Sequence, residues 1–237
     1  MKINILIPMA GIGSRFKTAG YVDHKPLIEV AGVPMIQRVI RNLTPRYRDY
    51  QFVFVTLSAM TDERLLNILR SHRGVIIELP YLTDGAVQSA LKAENLINTD
   101  EPLLLSSCDQ LVDIPIDDFI DACWKYDGGI LTHPQKDGHF SFSSIDKDGF
   151  VTEVAERKPI STHANIGQFF FKRGSEFVSA AKQMMAEDYR VNGEYYNAPV
   201  FNWLIRDGKK IVIHEITQKQ THILGTPEEL EKYLRGE

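Results

Sequence analysis

Ile7-Pro-Met-Ala-Gly-Ile-Gly-Ser-Arg-Phe16, followed by His24-Lys-Pro-Leu-Ile-Glu-Val30, decides how the rest of this chain is read. The apolar run Ile3–Ile7 predicts a strand, and a glycine loop leaves its carboxyl end. Gly11 and Gly13 remove side chains where the backbone must turn, so N–H groups can face an anion. Arg15 adds a planar fork suited to phosphate oxygens, and Lys25 a compact point charge. Together Met9, Ala10, Gly11, Gly13, Ser14, Arg15 and Lys25 predict a cradle for a polyphosphate. Two other phosphate loops do not fit. A P-loop closes a Gly-x-x-x-x-Gly span with Lys-Ser/Thr, and a dinucleotide fingerprint needs a third small residue where this chain has Phe16. The loop is expected to continue to Gly20 before a helix begins.

Working outward, short apolar runs predict strands at Ile3–Ile7, Phe52–Thr56, Val75–Glu78, Leu103–Ser106, Gly129–Thr132, Val151–Ala155, Gly167–Phe171 and Lys210–His214. Helical spacing falls between several of them, after Pro34, after Thr61-Asp62, over Ala86–Ile97, Ile116–Tyr126 and Ser175–Ala186, and from Thr226-Pro227. Strands alternating with helices imply an α/β fold, a largely parallel sheet with helices on both faces. Ligands in such sheets gather at the carboxyl ends of the strands. From Gly129 to Phe171 strands crowd together, and Asp146-Lys-Asp-Gly149 reads as a hairpin turn. The expected organisation is one domain over 1–237 in two halves, one to about 128 and one from about 129.

Asp109 should lie at the same sheet edge as the glycine loop. It ends the run Leu103-Leu-Leu-Ser-Ser-Cys-Asp109, where a charge costs heavily unless it is exposed or paired. Mg²⁺ with a nucleotide phosphate is one such partner; a turn-capping carboxylate is the alternative. Gln110 and Asp113 lie beside it. Asp84-Gly85-Ala86 opens a helix, and Gly85 permits close approach of a planar base near Pro80. Glu156-Arg157-Lys158-Pro159 closes a strand, either facing a phosphate or as a solvated ion cluster. Glu194-Tyr-Tyr-Asn197 either reads hydroxyl groups, through Glu194, Tyr196 and Asn197, or packs a subdomain.

The stretch Met9–Phe16, the run His24-Lys-Pro-Leu-Ile-Glu-Val-Ala-Gly-Val-Pro-Met-Ile36, and the segments Asp84-Gly85, Ser107-Cys-Asp-Gln110, Ala155-Glu-Arg-Lys-Pro159, Gly167 and Gly225-Thr-Pro-Glu228 resemble the nucleotidyltransferase (pyrophosphorylase) family that makes nucleotide sugars. The resemblance spans most of the chain and thins after Phe171. It implies a Rossmann-like three-layer sandwich around a mostly parallel mixed sheet, of GT-A-like nucleotidyltransferase type. It further implies a Mg²⁺-dependent enzyme joining a nucleoside triphosphate to a sugar 1-phosphate or similar phosphorylated acceptor, with release of pyrophosphate. Arg15 and Lys25 would hold the β- and γ-phosphates, Asp109 the metal, and Lys158 the acceptor phosphate. Pro80, Asp84 and Gly85 would lie at the base, and Gln110, Glu156, Gly167, Glu194, Tyr196 and Asn197 at the acceptor. Arg157 is interposed between the acid and lysine of the family's Glu-Lys, and Lys158 is favoured because Lys-Pro is kept. The family often has an acid before its Gly-Thr as second metal ligand. Here Thr221-His-Ile-Leu-Gly-Thr226 is apolar at that place, which leaves His222, Glu194 or Asn197 as substitutes, Asp109 acting with phosphate and water, or lost catalysis.

At 237 residues and 43% hydrophobic, the chain has ample material for a core. Its net charge of −4 argues against a broad nucleic-acid-binding face. The N-terminus reads as neither a signal peptide nor a membrane span. Cys108 and Cys123 are too far apart for a short metal motif, and so few cysteines fit a reducing cytoplasm. Self-association is left open, as is a disulfide. Two rival readings are a nucleotide-sugar-dependent glycosyltransferase and a non-catalytic nucleotide-binding regulatory homologue.

Overall fold

In the computed structural model residues 2–236 are described. β1 (Ile3–Pro8) is buried along nearly its whole length, as a central strand covered on both faces must be. It runs through the glycine loop into α1 (Ser14–Thr18). The loop therefore does not continue to Gly20. Ser-Arg-Phe-Lys-Thr contains no helix breaker, and Phe16, fully buried with its ring 5.2 Å from that of Tyr21, gives this single turn an apolar anchor.

β2 (Glu29–Val30) and β3 (Val33–Pro34) form a small hairpin ahead of α2 (Met35–Leu43). β4 (Tyr50–Leu57), α3 (Glu63–Ser71) and β5 (Val75–Leu79) follow, and Asp62 caps α3 by accepting from Leu65 N at 2.8 Å. The helical stretch expected over Ala86–Ile97 is two pieces, α4 (Ala86–Leu91) and α5 (Glu94–Ile97). Next come β6 (Leu103–Leu105), β7 (Gln110–Val112) and α6 (Ile116–Cys123). β8 (Gly128–Pro134), β9 (Ser141–Ile145), β10 (Val151–Glu156) and β11 (His163–Phe171) form the crowded strand region. β9 and β10 are the hairpin signalled by Asp146-Lys-Asp-Gly149; the Asp146 carboxylate accepts from Asp148 N and Phe150 N, both at 2.9 Å. α7 (Gly174–Ala186), α8 (Phe201–Arg206), β12 (Ile211–Glu215), β13 (Thr221–Ile223) and α9 (Pro227–Arg235) complete the chain.

Nine strands join in one sheet, ordered β10-β9-β11-β6-β1-β4-β5, with β8 also paired to β11 and β12 to β8. Traced outward from β1, seven of the nine point one way and β10 and β11 oppose them, so the sheet is mixed and mostly parallel. Two apolar cores lie on its two faces. One packs α2, α3, α6 and α9 against Ile3, Ile5, Ile7 and Phe54, the other packs α4, α5, α7 and α8 against Leu6, Val53, Val55 and Phe171. That is a three-layer sandwich, with β1 and β6 central and their carboxyl ends side by side. No helix among the described residues is long and apolar enough to cross a membrane.

A second, two-stranded sheet matters for the site. β13 pairs antiparallel with β7, Ile223 opposite Gln110, which brings Gly225 and the start of α9 beside Asp109. Asn42 on α2 holds β7 from its other side: its amide nitrogen donates to Val112 O at 2.8 Å and its amide oxygen accepts from Val112 N at 3.0 Å. A side chain here does what a neighbouring strand would do. Asn42→Ala removes both bonds and leaves half-buried backbone groups unpaired. It is expected to destabilise the fold by about 1–3 kcal/mol, read as a lower urea midpoint with unchanged slope. An unchanged midpoint would mean that water replaces the amide without loss.

Candidate active site

The glycine loop, Lys25, the segment after β6 and the start of α4 close around one cleft of about 530 Å³. Met9, Ala10, Gly11, Gly13, Ser14 and Arg15 line it from β1, Lys25 from the following turn, and Asp109 from the neighbouring strand. The local chain path explains the convergence. Met9 N still donates to Val55 O at 2.8 Å, so the loop leaves the sheet only after Met9. Gly13 then takes a left-handed φ of 60°, and a Cβ there would lie 3.1 Å from the Lys25 Cβ. Any larger residue would push Lys25 out of place.

Lys25 Nζ donates to Asp109 Oδ2 and also faces the Gly225 carbonyl oxygen at 3.5 Å. Burial works against the charge on both partners, yet each is held ionised by the other. Lys25 titrates above and Asp109 below its usual range. The pair therefore stays charged across the neutral range. Arg15 adds a further positive field at both residues. Among the described residues the Arg15 guanidinium, exposed at the cleft, has no ion-pair partner. Burial and the Asp109 charge push the neighbouring Cys108 thiol up to about 12, so it is neutral and a poor nucleophile. Cys108 and Cys123 are both free thiols.

The opposite wall comes from Leu82, Thr83, Gly85, Ala86 and Ser89. Of these only Gly85 stood out in the sequence. Leu82 and Thr83 sit between a strand end and a helix start, Ala86 and Ser89 on the first turn of α4, and that placement is the signal that could have found them. Pro80 and Asp84 do not line the cleft. Gly85 has a second constraint that periodicity cannot reveal: a Cβ there would lie 2.5 Å from both the N and the O of Tyr195. Tyr195 N donates to Asp84 O at 2.9 Å, and Val87 N donates to Tyr195 O at 3.1 Å, so the 194–197 segment is laced onto the start of α4. That lacing carries Glu194 to the cleft.

The remaining candidates gather in two neighbourhoods. Glu156 lies close enough to Arg157 and Glu194 to feel both charges; burial, with the Glu194 charge adding to it, pushes its carboxyl up to about 7. Arg157, in a left-handed φ of 54°, donates to the Tyr196 hydroxyl at 3.4 Å with its guanidinium 5.7 Å from the ring centre. Lys158 is exposed and makes no ion pair among the described residues. The second neighbourhood surrounds Gly167. A Cβ there would run into Gln110 Oε1, which is buried without a partner among the described residues, and lie 3.1 Å from Ser107 Oγ, whose hydroxyl helps hold the Asp109 charge. Asn197 Oδ1 is likewise buried and unpartnered.

No three His, Cys, Asp or Glu side chains converge among the described residues, so a closed zinc-type cage does not fit. Asp109 stands in the cleft, and near it Glu229 Oε2 is buried with no hydrogen-bond partner among the described residues. One or two carboxylates facing a phosphate cradle fit Mg²⁺, which takes its other ligands from phosphate oxygens and water.

A family described as the MobA-like NTP transferase domain matches residues 5–155. The bifunctional protein GlmU of Methanocaldococcus jannaschii is 23% identical over 96% of this chain, and the chain spans 58% of that relative's length. Among solved structures, a nucleoside-diphosphate-sugar pyrophosphorylase from Vibrio cholerae RC9 superposes with a TM-score of 0.83 at 23% identity, over 98% of this chain and 99% of that one. The CTP:phosphocholine cytidylyltransferase of Streptococcus pneumoniae gives 0.77 at 14% identity over 99% of both chains. The inositol-1-phosphate CTP transferase of T. maritima gives 0.76 at 15% identity, over 98% of this chain and 94% of that one. At these identities the solved structures establish the fold alone. With the family match covering the glycine loop, Lys25 and Asp109, the chain belongs to the MobA-like NTP transferase domain family.

Proposed function

We propose that this protein transfers a nucleotidyl group from a nucleoside triphosphate to a phosphorylated small molecule, a sugar 1-phosphate or a close analogue. An oxygen of the acceptor phosphate attacks the α-phosphorus, the bond from the α-phosphorus to its bridging oxygen breaks, and pyrophosphate leaves. The observation that carries this reading is the Lys25–Asp109 pair set against the glycine loop, with the Arg15 guanidinium exposed at the same cleft. The names of the similar proteins support it too, since they describe nucleoside-diphosphate-sugar, phosphocholine and inositol-phosphate chemistry.

Each residue has a task that follows from its place. Arg15 and Lys25 hold the β- and γ-phosphates and stabilise the charge that develops on the leaving group. Loop N–H groups orient the same phosphates. Asp109 is the carboxylate that would hold Mg²⁺, which when bound neutralises phosphate charge and fixes its geometry. No general base is required, because the acceptor phosphate is already ionised. Catalysis then rests on alignment and charge. The wall from Leu82 to Ser89 receives the base. On the acceptor side we assign Gln110, Glu156, Gly167, Glu194, Tyr196 and Asn197, with Lys158 and Arg157 as the cations available to the acceptor phosphate.

The test is pyrophosphate release from a panel of nucleoside triphosphates against sugar phosphates, phosphocholine and inositol phosphate, with Mg²⁺. Release that depends on an acceptor supports the proposal; consumption of a nucleotide sugar without pyrophosphate would replace it with glycosyl transfer. In the productive pairing, Lys25→Ala should lower turnover by about 100-fold or more, the loss seen when a charge-stabilising donor is removed, while thermal unfolding shows an intact fold. Turnover near wild type would remove Lys25 from the leaving-group role.

Glu156 makes a pH prediction. Its carboxyl, raised from the ordinary range to about 7, is mostly neutral below that pH and charged above it. An anionic acceptor should bind less well once Glu156 ionises. The acceptor KM should therefore rise more between about pH 6 and about pH 8 in the wild type than in Glu156→Gln, which cannot ionise. The acceptor's own titration is common to both proteins, so parallel profiles would place Glu156 away from the acceptor.

A further inference from the structure

The stretch before Gly225 is apolar where an acid was sought, and none of the three substitutes is turned to Asp109. His222 Nε2 is 2.8 Å from Asp113 Oδ2 and its ring packs on Tyr233. Glu194 is on the far wall with Glu156, and Asn197 does not line the cleft.

Another acid is in place. α9 begins at Thr226, whose hydroxyl accepts from Glu229 N at 3.2 Å. The reciprocal bond, from Thr226 N back to the Glu229 carboxylate, would complete a capping box, but it is not made among the described residues. Glu229 Oε2 is instead buried without a partner. Its direction is given by Gly225: a Cβ built there would lie 3.1 Å from Glu229 Oε2 and 3.4 Å from Asp109 Oδ2. Two carboxylate oxygens from different elements thus approach the space that Gly225 leaves open, Asp109 from the cleft and Glu229 from the neighbouring groove lined by His222 and Tyr233. A buried carboxylate oxygen with no donor is unfavourable unless a cation completes it. Lys25, at the same corner, is already committed to Asp109 and the Gly225 carbonyl.

We infer that Glu229 is the second carboxylate of the divalent-cation site, joining Asp109 across Gly225. The inference rests on the nucleotidyl-transfer reading for its choice of Mg²⁺. It explains why a glycine is tolerated at the place where a side chain would otherwise reach towards Asp109. Glu229, one helical turn onward, brings its carboxylate to that space, and a Cβ at 225 would press on Glu229 Oε2 and touch Asp109 Oδ2.

The experiment is a titration with Mn²⁺ alone, followed by electron paramagnetic resonance and water-proton relaxation, on the wild type, Asp109→Asn, Glu229→Gln and Glu229→Asp. Gln keeps the size and hydrogen-bonding capacity of Glu, so a purely structural role at the start of α9 survives in it; thermal unfolding checks that it does. The expected result is that Glu229→Gln weakens Mn²⁺ binding by about 10-fold or more, the lower end of what losing a metal's supporting group costs, and that Glu229→Asp recovers part of it. Wild-type Mn²⁺ affinity in Glu229→Gln, with binding lost in Asp109→Asn, overturns this inference and leaves the nucleotidyl-transfer reading standing. A wild-type protein that binds no Mn²⁺ overturns both the metal site and this inference, and the pyrophosphate assay then decides the reaction independently.

Discussion

The ion pair between Lys25 and Asp109 is the constraint on which the site depends. The two residues are 84 positions apart and meet because β1 and β6 are parallel neighbours whose carboxyl ends leave the sheet together. The pair is largely withdrawn from water, so each charge would be costly alone. Glycine at 13 gives Lys25 the room to reach across, the β7–β13 sheet fixes the backbone after Asp109, and Leu224 N donates to Asp109 O at 2.8 Å. A charged corner is thus held by three separate pieces of backbone, so it is formed before any ligand arrives. Such preorganisation matters most where little covalent work is asked of the protein.

Much of this was legible in the sequence because its signals are local. β1 and the glycine loop follow from an apolar run and two glycines. The helices after Pro34, Asp62 and Thr226 follow from periodicity and capping residues that the structure uses as written, such as Asp62 accepting from Leu65 N. Asp109 was found because a charge ending an apolar run needs a reason. The missed elements are short and tertiary in origin. α1 is one turn, held by the burial of Phe16 more than by propensity. β7 and β13 are three residues each and exist because they pair with one another and with the Asn42 side chain. The break between α4 and α5 leaves apolar spacing almost intact, so pattern alone reads through it.

The site divides the same way. The glycine loop with Arg15 and Lys25 lies within one short stretch of chain and was visible as a motif. The proposed acceptor side draws on β7, β10, β11 and the segment laced to α4 through Tyr195, and no spacing rule connects such pieces. Gly85 is the clearest example. Sequence reading gave it a ligand-facing reason, while the structure adds a backbone contact with Tyr195 that would exclude a side chain in any case.

The character of that acceptor side follows from what its polar atoms lack. Gln110 Oε1 and Asn197 Oδ1 are buried and unpartnered among the described residues, and burial raises the Glu156 carboxyl to about 7. Neutral groups left without partners are poor at attracting a charge but well suited to exchanging hydrogen bonds with hydroxyls, and a ligand lacking those hydroxyls leaves them unpaired at a cost. Glu194, Arg157 and Lys158 bring charge to this side. Arg157 is braced over Tyr196, whereas Lys158 stands exposed. On the proposed reading, an acceptor carrying several hydroxyls and one phosphate uses all of these features: the hydroxyls complete the buried oxygens, and the phosphate meets a cation at the mouth. An acceptor with a bulky cationic head would satisfy Glu194 but leave the buried neutral groups unpaired, which makes the polyol phosphate the better match to this half of the site.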